Sequence, residues 1–92
     1  ATVNFNLTSS SMTVFPNPTD GPINLALNNL ENKEVLIVVR DVLGKEFYTK
    51  VKIINDSESI IALDMESKLA PGTYIVIATS DNSLFSQTVI VK

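Results

Sequence analysis

Three residue types that carry much of protein chemistry are missing from this 92-residue chain: cysteine, histidine and tryptophan. Without cysteine there is no disulfide framework, no thiolate nucleophile and no cysteine-ligated zinc site. Without histidine the usual general base and the commonest metal ligand are absent, so a Ser-His-Asp triad is excluded. The composition therefore favours a binding, structural or targeting module over an enzyme, and we expect no cofactor and no metal centre.

Long apolar runs and an excess of positive charge are also missing. No run approaches the roughly 20 apolar residues that a membrane-spanning helix needs, so we expect no direct membrane insertion. Lys and Arg number 7 against 10 Asp and Glu, a net charge of −3, which gives no electrostatic footprint for nucleic acid. At 45% hydrophobic residues the chain is too apolar to be intrinsically disordered. Its length fits one domain, and we interpret it as a piece of a longer polypeptide.

Apolar residues recur with a period of two, which is the alternation of a β-strand with one buried face. Residues 23–28 alternate in this way, and so do residues 46–53. In the second segment we place the odd-numbered positions in the core. The even-numbered positions Tyr48, Lys50 and Lys52 then lie on a solvated face, where lysines also discourage pairing with a foreign strand.

Residues 35–39 are continuously apolar and rich in β-branched side chains, which predicts a central strand covered on both sides. The sequence leaves open which of its faces points into the core. Four further strands are expected at residues 12–15, 60–63, 73–79 and 84–91. About seven short strands, separated by turns rich in Gly, Pro, Asn and Asp, predict an antiparallel β-sandwich. The residues expected in its core are Ile23, Leu25, Val51, Ile53, Ile61, Leu63, Tyr74 and Val76.

The turn at residues 16–22 offers Asn17, Thr19 and Asp20 as oxygen ligands for Ca²⁺. Calcium takes roughly six to eight oxygens, and Asp20 is the single carboxylate among the three. The preferred interpretation is therefore that Asn17 and Asp20 bond their own backbone in tight turns.

Two other sites can be considered and are disfavoured. Asp41 could form a carboxylate pair of the glycosidase kind with Asp81 or Glu46, but an aspartate that starts a turn is ordinary. An outward Tyr48 could contribute to a sugar-binding surface, although such a surface would need two or three aromatics in a row.

Four segments together resemble a known family. Residues 14–21 read Val-Phe-Pro-Asn-Pro-Thr-Asp-Gly, and residues 39–45 place Asp-x-x-Gly-Lys after an apolar strand. Residues 69–76 contain Leu-x-x-Gly-x-Tyr, and residues 88–92 form a terminal apolar strand. Their order and spacing resemble the type A C-terminal sorting domain of the type IX (Por) secretion system of Bacteroidetes. The resemblance covers residues 12–92, which leaves residues 1–11 as a linker or loosely attached segment.

The resemblance implies an immunoglobulin-like β-sandwich that acts as a C-terminal secretion signal. The cargo would lie N-terminal to Ala1, pass through the periplasm and cross the outer membrane through the type IX machinery. A sortase-like peptidase would cleave in or before residues 1–11, and the cargo would be attached to the surface or released. The alternatives are a carbohydrate-binding module and a fibronectin-like accessory module of a secreted enzyme.

The resemblance also implies which residues serve recognition or the fold. These are Pro16, Asn17, Pro18, Gly21, Asp41, Gly44, Lys45, Gly72, Tyr74, Val89, Val91 and Lys92. Many family members carry a basic residue shortly before the final strand, where this chain has Ser86, Gln87 and Thr88. Either Lys92 replaces that basic contact to the machinery, or the contact is dispensable. We expect the last strand to offer an exposed edge to a partner strand.

Overall fold

The computed structural model describes residues 10–65, 68–81 and 83–92, which form seven β-strands and no helix. The strands are β1 (Ser11–Phe15), β2 (Asn24–Asn28), β3 (Lys33–Asp41), β4 (Glu46–Ile54), β5 (Glu58–Ala62), β6 (Gly72–Ser80) and β7 (Ser83–Val91). Residues 1–9 of the predicted linker lie outside the described residues. No helix in the described ranges is long and apolar enough to cross a membrane.

The strands form two antiparallel sheets, which confirms the predicted β-sandwich. One sheet has the order β1-β2-β5 and the other the order β4-β3-β6-β7. Because β1 contacts β7, those two edge strands lie on the same side of the sandwich. The other two edge strands, β4 and β5, therefore lie on the opposite side.

The central strand β3 sends one face into the core. Val35, Ile37 and Val39 are fully buried, which answers the question that the alternation left open. Leu36, on the other face, is partly exposed, and Val38 is half-buried. The prediction that this strand is covered on both sides is wrong for the described part of the chain, because no described segment packs over the outer face of the four-stranded sheet.

Most of the predicted core is confirmed, with one strand as the exception. The buried or core-packed residues are Ile23, Leu25, Ile61, Leu63, Tyr74 and Val76. Val51 and Ile53 were expected in the core, but they are 57% and 65% exposed. On the same strand, Tyr48 and Ile54 are buried at 7% and 2% exposure, so the predicted inner and outer faces of β4 are reversed from Tyr48 onward. Phe47 packs against the core, as predicted.

Pairing with β3 explains the reversal. Directly opposite residues of an antiparallel pair share a face of the sheet. The core-facing residues Val39, Ile37 and Val35 of β3 lie opposite Tyr48, Lys50 and Lys52. The even-numbered residues of β4 must therefore face inward. The two lysines lie on an edge strand, where a long stem can follow apolar surface while its ammonium group reaches water.

Candidate functional site

The four segments that carry the family resemblance meet at one end of the sandwich, which we call the motif end. It comprises residues 16–21, 41–45, 69–74 and 88–92. In the sheet, Tyr74 lies between Asp41 on β3 and Val89 on β7. Gly72 lies opposite Val91. Strand pairing thus brings together three segments that are far apart in the sequence, and the turn after β1 adds the fourth.

The Pro-Asn-Pro turn binds the last strand through a side chain. Asn17 Nδ2 donates to the carbonyl oxygen of Thr88 at 2.9 Å, and Asn17 Oδ1 accepts from the backbone N–H of Ile90 at 3.1 Å. This reciprocal pair imitates one rung of a β-ladder. The peptide bonds before Pro16 and Pro18 are both cis.

Thr19 also binds the last strand, through its own main-chain groups. Its N–H donates to Ile90 O, and its carbonyl accepts from Lys92 N–H, both at 2.8 Å. Its buried hydroxyl donates to Pro22 O and accepts from the N–H of Gly21. All polar groups of this 1%-exposed residue are therefore bonded. Sequence reasoning did not place Thr19 among the motif residues, although a threonine in a turn can accept a hydrogen bond from the backbone N–H two residues on, which is a weak sequence signal.

These bonds close the edge of β7 that we expected to be open. The chain from Asn17 to Thr19 occupies the outward main-chain groups of Thr88, Ile90 and Lys92. The predicted strand addition at this stretch is therefore wrong, because its hydrogen-bonding groups already have partners. The Asn17 amide also bonds β7 and not its own turn, contrary to the preferred interpretation of the sequence.

The hairpin between β3 and β4 is held by Asp41. Its Oδ1 accepts from the N–H groups of Leu43 and Lys45 at 2.9 and 3.0 Å, and its main chain bonds Gly44 and Lys45. Gly44 has φ +96°, a conformation that favours glycine. The predicted turn is confirmed, and it leaves Lys45 exposed with Nζ 5.3 Å from the centre of the Phe47 ring.

The carboxylates considered as a catalytic pair do not form one. Asp81 follows β6 at the opposite end of the sandwich and pairs with Lys33 at 2.9 Å. Glu46 accepts a hydrogen bond from the Thr49 hydroxyl. Asp41 is occupied by the hairpin, so the three side chains serve three separate local contacts.

Tyr74 connects the core to the loop that precedes β6. Its hydroxyl donates to Ala70 O at 2.6 Å, and its ring contacts Phe47 edge-on with 5.5 Å between the ring centres. A β-bulge beside Arg40 omits Phe47 from the β3–β4 register, and Phe47 packs against the core. The motif tyrosine is thus a packing and hydrogen-bonding residue.

Tyr48, by contrast, was predicted to face solvent and is buried. Its hydroxyl has no hydrogen-bond partner among the described residues. A ring in this position does not offer a platform for a sugar, so the candidate sugar-binding role of Tyr48 is not supported.

The motif residues divide into a buried frame and an exposed surface. The buried ones are Tyr74, Val89 and Val91. The exposed ones are Pro16, Asn17, Pro18, Gly44, Lys45, Gly72 and Lys92, while Gly21 and Asp41 are intermediate. Lys92 Nζ lies 3.6 Å from Asp20 Oδ1, which adds an exposed ion pair to this surface. The arrangement offers a surface with a hydrogen-bonded main chain and with exposed polar and charged side chains.

A family model described as the secretion system C-terminal sorting domain matches residues 13–92. The match begins within β1 and includes every strand after it, together with all four segments of the motif end. No curated protein matches the chain.

Proposed function

Because this chain belongs to the family of C-terminal sorting domains of the type IX secretion system, we propose that its motif end is the surface that the secretion machinery recognises. The domain is the C-terminal sorting signal for this system, and it interacts with the type IX machinery. It directs export across the outer membrane, to the cell surface or the medium. The proposal concerns where on the domain that interaction takes place.

The convergence of the four motif segments carries the proposal. Their exposed side chains lie on a frame in which the outward main-chain groups of the last strand are already bonded. A partner that binds there meets a main chain that is already hydrogen-bonded and an Asn17 side chain that is held in place before binding. Such preorganisation reduces the entropy lost on association and so favours recognition of the folded domain.

The route of the cargo follows from the same role. We place the cargo N-terminal to the domain and its transit in the periplasm. A sortase-like peptidase then cleaves in or before residues 1–11, and the cargo is attached to the surface or released. The family is not a catalytic one, and in this proposal the domain acts by binding alone.

A matched pair of lysines tests the proposal. Lys45 is exposed at the motif end, whereas Lys33 pairs with Asp81 at the other end of the sandwich. The full chain is fused to the C-terminus of a periplasm-targeted reporter in a Bacteroidetes host with a working type IX system. We expect the unaltered domain and Lys33→Ala to export the reporter, and Lys45→Ala to export less of it.

The melting temperature of each purified domain provides the control. Substitutions of exposed side chains usually change stability by no more than about 0.5 kcal/mol, so both variants should stay folded. If folded Lys45→Ala exports as well as Lys33→Ala, the motif end is not the recognised surface at that position. If the unaltered domain fails to export the reporter, the role of the domain in this host is itself wrong.

A further inference from the structure

Strand β4 has an open edge. It spans nine residues and pairs with β3 on one side; no main-chain hydrogen bond occupies its other edge in the described ranges. The neighbouring free edge, β5, spans five residues and belongs to the other sheet. An unpaired strand of this length exposes a row of N–H and C=O groups to which an extended peptide can bond.

The second half of β4 presents two different faces along that edge. Lys50 and Lys52 lie on the face directed toward the core, and neither has a carboxylate within ion-pair distance in the described part of the chain. Lys50 Nζ lies 5.9 Å from the centre of the Tyr48 ring. Val51 and Ile53 lie on the outer face and are largely exposed. One face of this edge is cationic and the other is apolar.

We propose that β4 is a docking edge for an extended segment of a partner protein in which acidic and apolar residues alternate. Side chains of a β-strand alternate between faces with a period of two. A segment paired with β4 would place its acidic residues beside Lys50 and Lys52 and its apolar residues beside Val51 and Ile53. The acidic residues would supply the ion-pair partners that the two lysines lack.

A second copy of the chain fits this edge poorly. The antiparallel register that overlaps all of β4 with itself places Lys50 opposite Lys50 and Lys52 opposite Tyr48. Like charges directly opposite each other destabilise a strand pair. Lys50, which attracts an acidic segment, therefore opposes self-association in this register, which makes the edge selective. This surface is distinct from the motif end, so the inference does not depend on the proposed function.

Two peptides test the inference on the full 92-residue chain. One is acetylated and amidated Thr-Glu-Val-Glu-Val-Glu-Thr, and the other has Lys in place of each Glu. We expect the acidic peptide to shift the backbone amide resonances of residues 49–53 and to slow hydrogen exchange at those amides among them that point away from β3. The lysine peptide should do neither, and added salt should weaken the acidic peptide's binding about fivefold because two partly exposed ion pairs are screened.

Charge variants show whether the lysines select the peptide. We expect Lys50→Glu/Lys52→Glu to reverse the preference, and Lys50→Arg/Lys52→Arg to preserve it. Circular dichroism checks the fold of each. If the reversed variant does not fold, Lys50→Gln/Lys52→Gln replaces it and should weaken the acidic peptide about fivefold. Equal binding of the two peptides, resonance shifts on another strand, or no binding at millimolar peptide would overturn the inference.

Discussion

The four-stranded sheet has two edge strands of equal length, β7 and β4. They differ in whether another segment of the chain bonds the outward main-chain groups. At β7 the turn that contains Asn17 and Thr19 supplies four hydrogen bonds to the last strand. At β4 no described segment supplies any, and the edge carries Lys50 and Lys52. One edge is closed by hydrogen bonds from a distant segment of the same chain, and the other carries two positive charges.

The comparison changes how the motif should be understood. A free edge is a hazard for a small β-rich domain, because any extended chain can pair with it. The Pro-Asn-Pro segment removes that hazard at the C-terminal end of β7. In this chain the Pro-Asn-Pro segment therefore has a structural role, and the proposed recognition concerns the exposed side chains of the motif end.

The largest loss of stability is expected from a substitution on the buried face of β4, and a substitution on its outer face should have little effect. This difference tests which face of β4 points into the core, on which the comparison of the two edges depends. Ile54→Ala removes a side chain that is 2% exposed, and we expect it to lower the free energy of unfolding by about 2–4 kcal/mol. Ile53→Ala, one residue away and 65% exposed, should change it by less than about 0.5 kcal/mol. Urea unfolding measures both, and similar losses would mean that the outer face is covered by another segment.

This strand also shows where sequence reasoning stops. Alternation correctly predicted that residues 46–53 form a strand, but Val51 and Ile53 on one face are about as apolar as Tyr48 and Ile54 on the other. Which residues of β4 face inward is decided by its neighbour β3, because the core face of β3 is uniformly apolar and the residues paired with it must face the core as well. That information is a property of the pairing and is absent from the strand itself.

The second prediction concerns a substitution that removes part of the hydrogen bonding at the closed edge of β7. Asn17→Ala removes two hydrogen bonds to β7, and we expect a loss of about 1–2 kcal/mol in stability. Hydrogen exchange at the amide of Ile90 should accelerate more than exchange in the centre of β6. Asn55→Ala, at an exposed turn beyond β4, is the matched control and should leave both measurements unchanged. Unchanged exchange at Ile90 would show that Asn17 does not hold the edge.

The convergence of the four motif segments could be inferred from the sequence, but the hydrogen bonds that close the edge of β7 could not. Seven strands and their turns follow from alternation and from the positions of Gly and Pro. The bonds from Asn17 join residues 71 and 73 positions apart, and no local pattern predicts such a pair. For the same reason an apparently free terminal strand was expected where the structure has a closed one.

The third prediction compares two buried tyrosine hydroxyls, one near each edge. Tyr74→Phe removes the bond to Ala70 O, and we expect a loss of about 1 kcal/mol. Tyr48→Phe removes a hydroxyl that has no partner among the described residues. It should be neutral or slightly stabilising, because a buried polar group without a bond lowers stability. Thermal unfolding of the two variants measures the difference, and an equal loss in both would mean that Tyr48 also has a partner.

The smallest effect on stability is expected at Lys92. There the role of the side-chain charge can be tested without breaking the main-chain bond that closes the edge of β7. Its ammonium lies 3.6 Å from the Asp20 carboxylate, with the two side chains 61% and 84% exposed, so the pair should contribute less than about 0.5 kcal/mol. Lys92→Ala keeps the main-chain bond to Thr19 and should leave the melting temperature unchanged. Asp20→Asn, which also removes the ion pair, is the control. If the machinery reads the charge, export of the fused reporter falls in Lys92→Ala and not in Asp20→Asn. Equal export of both variants would assign Lys92 to the fold alone, through the main-chain bond that closes β7.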